Sequence, residues 1–77
     1  MAPPDDAAIA AVLLDLARRR GRASFCPSEA ARALAADWRP LMADVRRVAA
    51  GLPLSATQRG RPVDAATARG PIRLSLP

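Results

Sequence analysis

Histidine, lysine and tyrosine are missing from this chain, and cysteine, tryptophan and phenylalanine occur once each. Each shortage excludes some chemistry. Without histidine, a serine or cysteine nucleophile has no imidazole to serve as its base. One cysteine and no histidine do not make up the usual zinc ligand set. A lone cysteine forms no internal disulfide, so nothing points to an oxidising compartment. No apolar run approaches the roughly 20 residues of a membrane span. The start, MAPPDDAAIA, carries acids and no basic residues ahead of its apolar positions, so it does not read as a signal peptide. A cytoplasmic protein with no membrane contact, no cofactor, no metal and no enzymatic activity is the expectation.

What the chain does contain is alanine and arginine. Its 77 residues are read as one small domain, 1–77, with residues 1–4 fraying. A chain of this size buries only about 60% of its unfolded surface, so its core is small. All 12 basic residues are arginine, against seven acids, for a net charge of +5. That balance favours a polyanionic partner: nucleic acid first, an acidic protein second. A GC-rich genome produces the same alanine and arginine bias, and roughly half of the charge signal is assigned to it.

Periodicity divides the chain. In DDAAIAAVLLDLARRRG, the residues Ile9, Val12, Leu13 and Leu16 recur at three and four, which predicts one face of a helix. Asp5 or Asp6 suits its start, Arg18, Arg19 and Arg20 its last turn, and Gly21 its stop. RASF reads as a short extended segment with Phe25 turned inward. PSEAARALAA reads as a short helix begun by Pro27, with Ala30, Ala31 and Leu34 inside. In DWRP, Arg39 precedes a proline and is expected out of helical geometry. Trp38 either plugs the junction of the two flanking helices or stands exposed. A third helix is predicted from Pro40 to about Ala50, with Leu41, Val45 and Val48 on one face and Gly51 ending it. The period then changes from helical to alternating. LPLSATQ and PIRLSLP predict two antiparallel strands. The turn-rich RGRPVDAATARG lies between them, with Asp64 capping a short turn and Gly60 at positive φ.

Two helices joined by a tight turn and followed by a hairpin predict an α+β winged helix-turn-helix. It has three helices, a short first strand and a C-terminal two-stranded hairpin, whose loop is the wing. SFCPSEAARAL, DWRPLMADVRRVAA and QRGRPVDAATARGPIRL resemble the short bacterial proteins grouped as the domain of unknown function numbered 3253. The resemblance runs from about Ile9 to Leu76. It implies a winged-helix fold and carries no activity. The link AAGLPLSATQ looks shorter than the family's usual third helix and turn.

Candidate sites follow from that fold. Cys26 sits just before a predicted helix, where a thiol gains reactivity if a base is at hand, and none is. The structural alternative is a cap: Cys26 at the cap position and Glu29 reaching back to its N–H as in a capping box. For nucleic acid, the exposed face of helix three would present Arg39, Met42, Asp44, Arg46 and Arg47. The wing would present Arg59, Arg61, Arg69 and Arg73 to the phosphate backbone or the minor groove. The run RRRGR at 18–22 would lie at the edge of such a site. Local pairing competes with this: Arg47 with Asp44, and Arg61 and Arg69 with Asp64. Two functions are therefore carried forward. One is a regulatory or nucleic-acid module on double-stranded DNA that uses helix three and the wing. The other is a protein-interaction module, binding a partner or forming a homodimer through an apolar patch near Pro40 and Met42.

Overall fold

The first helix begins where an oxygen side chain meets the free N–H groups of the opening turn. In the computed structural model, which describes residues 3–77, Asp5 is extended and its carboxylate accepts from the Ala8 N–H at 2.8 Å. Residues 1 and 2 of the segment expected to fray lie outside the described residues. Helix α1 runs Asp6–Arg20 and stops at Gly21. The φ of 60° at Gly21 suits glycine, and its N–H donates back to the Ala17 carbonyl at 3.0 Å. Ile9, Leu13 and Ala17, spaced by four, are buried, with Val12 and Leu16 packed half-buried beside them. The face read from periodicity is the face that meets the core.

Helix α2, Pro27–Leu34, buries Ala30 and Ala31 completely. With nothing beyond Cβ, these two residues let α2 lie close against its neighbours. A 3₁₀ turn over Arg39–Leu41 then leads into helix α3, Met42–Ala50. The pre-proline Arg39, expected outside helical geometry, belongs to this turn instead. The Leu41 N–H donates to the Trp38 carbonyl at 3.0 Å, and Pro40 sits where a missing N–H costs no bond. Leu41, Val45 and Ala49 are buried, Val48 packs partly against them, and Gly51 ends α3 at the expected place.

The sheet corrects the predicted strand count. Strand β1, Ser55–Gln58, pairs antiparallel with β2, Arg61–Pro62, and with β3, Arg73–Ser75, in the order β2-β1-β3. The segment expected to be all loop therefore starts with a second strand. Its two-residue tip is Arg59–Gly60, with φ of 52° and 80°. Positive φ at both positions matches the twist of a tight hairpin. The expected short first strand is a single bridge. The Phe25 N–H donates to the Leu74 carbonyl, and the Leu74 N–H to the Phe25 carbonyl, each at 2.8 Å. That bridge fixes the fully buried Phe25 between helices and sheet. Burying such a side chain contributes about 1.5–3 kcal/mol.

Between β2 and β3 the chain makes the turn expected of Asp64, whose carboxylate accepts from the Ala66 N–H at 2.8 Å. Buried Ala65 and Ile72 pin the loop's two ends to the core. Three helices packed on a small antiparallel sheet make an α+β fold consistent with a winged helix. Among the described residues, no helix is long and apolar enough to cross a membrane.

Candidate nucleic-acid interface

Helix α3 carries two arginines, and the structure occupies both. Arg46, expected on the exposed face, turns toward the loop between β2 and β3. Its Nε donates to the Ala65 carbonyl at 3.0 Å and one terminal nitrogen to the Gly70 carbonyl at 3.2 Å. The other terminal nitrogen donates to the Ala68 carbonyl. One guanidinium thus satisfies three main-chain acceptors that have no strand partner. The physical reason lies in position: Arg46 follows buried Val45, at the border of the inner face, and is itself only half-exposed. It is a brace for the loop and not a free contact for nucleic acid.

Arg47 is exposed but paired. It grips Asp6 of α1 through two bonds, at 2.9 and 2.8 Å, and reaches Asp44 at 3.3 Å. The Asp44 pairing anticipated from sequence is present, and the stronger partner comes from another helix. The Arg47 hydrogen bond holds the Asp6 carboxyl below its usual range, and the Arg47 guanidinium is pushed further toward its charged form. A carboxyl lowered in the folded state contributes stability above its unfolded pKa and loses it as pH falls through its folded pKa. Asp6→Asn should therefore lower the urea midpoint slightly at about pH 7, and the difference from wild type should close as pH falls through the lowered folded-state pKa of Asp6. Urea unfolding of both proteins across that range checks this. A difference that persists undiminished in acid would mean that the pair is not its source.

The other exposed positions of α3 are Ala43, Asp44 and Ala50. Its surface is therefore short of unpaired positive charge. The wing is not. Arg59 at the hairpin tip, Arg61 on β2, Arg69 on the loop and Arg73 on β3 all line one open groove of about 1070 Å³. No acid lines it. Gln58 of β1 holds the groove's far wall in place, donating to the Arg69 carbonyl and, at 3.1 Å, to that of Pro71. Arg73 is partly committed, with Nε on the Ser24 hydroxyl at 3.0 Å and a terminal nitrogen on the Ser24 carbonyl at 2.9 Å. The side chains of Arg59, Arg61 and Arg69 make no ion pair among the described residues, and the Asp64 partner considered for Arg61 and Arg69 turns to its own loop. From the sequence, these four arginines are expected to share one exposed face with Arg46 and Arg47. The four line one groove built on the unpredicted β2, and Arg46 is turned to the loop instead.

The remaining sequence candidates are structural or separate. Glu29 accepts from the Cys26 N–H at 3.1 Å, the carboxylate half of a capping box. Glu29 also pairs with Arg20, whose hydrogen bond is the main cause of its lowered carboxyl pKa. Cys26 is half-buried, and its sulfur accepts from the Ser28 hydroxyl at 3.1 Å. In the 18–22 run, Arg19 pairs with Asp15 at 3.0 Å. Arg39 lies apart from the wing, its guanidinium over the Trp38 ring.

Over residues 6–77 the chain matches the model of a family described as "Protein of unknown function (DUF3253)". No curated protein matches it.

Proposed function

Since the chain belongs to this family across nearly its whole length, and the family brings no activity with it, we propose on the geometry alone that the protein is a nucleic-acid-binding module whose wing grips the backbone of double-stranded DNA. The single observation that carries this reading is the convergence of Arg59, Arg61, Arg69 and Arg73 on one groove without an acid. Arginine forks fit phosphate oxygens, and phosphate contacts supply most of a duplex's sequence-independent affinity. Helix α3 contributes less than a conventional recognition helix would, because Arg46 braces the loop and Arg47 is held by Asp6 and Asp44. Among the described residues, no aromatic side chain lines the groove for unpaired bases to stack on, which favours duplex over single strand. The competing protein-docking reading draws on an apolar patch near Met42. Met42 is packed against the core, and the large hydrophobic side chain exposed among the described residues is Leu76.

The test is duplex binding by fluorescence anisotropy as salt is varied. With three to four arginines on phosphates, the log–log slope should be about −2.7 to −3.6. Between 50 and 200 mM salt, affinity should fall roughly 40- to 150-fold. No binding at the lower salt would sink the reading.

A further inference from the structure

Apart from the wing, two arginines converge on the chain's one tryptophan. Arg32 comes from α2 and Arg39 from the 3₁₀ turn. Their guanidinium carbons lie over the Trp38 ring at 4.6 and 4.7 Å from its centroid. The two like charges therefore lie within about twice that distance of each other. In water alone they would drift apart, and the negative face of the indole is what gathers them. Stacking uses the flat face of a guanidinium and leaves its rim of N–H donors free. Among the described residues, neither side chain makes an ion pair or a hydrogen bond, and both are exposed. Asp37, adjacent in sequence and also exposed, pairs with neither of them. Trp38 itself is half-buried and packed against the core, so the platform is anchored.

Two donor forks held on one anchored ring suit an anion with oxygens on several sides. A planar carboxylate is satisfied by a single fork, whereas a tetrahedral phosphate accepts from two at once. Less side-chain entropy remains to be lost than for free side chains, because each guanidinium already lies over the ring. We propose that the Arg32–Trp38–Arg39 cluster is a second anion site that takes a phosphate group, either free or in a nucleic-acid backbone, independently of the wing groove.

The single tryptophan makes the test local. Uniformly ¹⁵N-labelled protein would be titrated with inorganic phosphate, with sodium chloride holding ionic strength constant. The resonances followed are the Trp38 indole N–H and the Nε–H groups of Arg32 and Arg39. They should move saturably with phosphate and stay still when chloride replaces it. Arg32→Gln combined with Arg39→Gln should weaken the apparent affinity about tenfold or more, read from the indole signal. A second arm uses a short DNA duplex with a variant lacking the wing arginines. Movement of the same signals there identifies backbone phosphate as a ligand. Movement with inorganic phosphate alone identifies the free ion. If neither probe moves these resonances selectively and saturably in the wild-type protein, the proposal is overturned, whatever happens at the wing.

Discussion

Arg46→Met should lower the melting temperature of this protein more than substitution of any of its other arginines. Among the described residues, Arg46 carries the one guanidinium whose three nitrogens all meet main-chain carbonyls, at Ala65, Ala68 and Gly70. Hydrogen bonds from a charged donor contribute about 1.5–3 kcal/mol each, and water recovers part of that where it can enter. Arg46 is half-exposed, so the net loss is set at about 2 kcal/mol, which for a domain of this size shifts the melting temperature by roughly 8–16 °C. Methionine keeps most of the stem's packing, so the loss reports on the donors. Arg46→Lys should recover only a minor part, because one ammonium does not reach three carbonyls arranged around a planar fork. A change within about 0.5 kcal/mol, typical of an ordinary surface substitution, would refute the brace and return Arg46 to the pool of free cations.

How much of this could be read in advance depended on how local each signal was. Helix α1 was legible because its cap, apolar stripe, terminal arginines and stop lie within one stretch. The same holds for α2, where Pro27 and Glu29 mark the first turn, and for the end of α3 at Gly51. Strand β2 was not legible. It has two residues, one of them Pro62, and neither alternation nor propensity marks so short a piece. Its turn carries Arg59 where the familiar hairpin signal has asparagine or aspartate. The role of Arg46 was hidden for a different reason. Its partners are 19 to 24 residues away and are backbone atoms, which leave no trace in side-chain pattern. A weak signal was nonetheless present. The loop before Pro71 has carbonyls with few donors nearby, and buried carbonyls must be satisfied from somewhere. A cation bordering the apolar face of α3 is the natural source.

The same contrast between local and distant partners reassigns the arginines as a group. Arg19, Arg20 and Arg47 pair with carboxylates, Arg46 braces the loop, and Arg73 is tied to Ser24. These contacts account for much of the basic composition without any ligand. Of the other seven, Arg59, Arg61 and Arg69 line the wing groove, Arg32 and Arg39 lie over Trp38, and Arg18 and Arg22 are exposed around the end of α1.

Arg59 is the sharpest case, and it sets the second large prediction. It is the non-glycine residue with positive φ among the described residues, at 52°. That conformation costs an ordinary side chain roughly 1–2 kcal/mol, and asparagine tolerates it better. An arginine kept at such a position is destabilising for the hairpin, so its contribution is expected in binding. The triple variant Arg59→Asn, Arg61→Gln, Arg69→Gln separates the two effects. Its melting temperature should match or exceed that of the wild type, since no intramolecular ion pair is lost and the tip is relaxed. Its duplex affinity at about 50 mM salt should fall by about 100-fold, and its log–log salt slope should flatten to about −1, the value left by Arg73 alone. Anisotropy titrations at several salt concentrations, beside a thermal melt, measure both. If the wild-type slope persists in the triple variant, the phosphates are being met elsewhere, and the surface around Arg32 and Arg39 becomes the main contact in place of the wing.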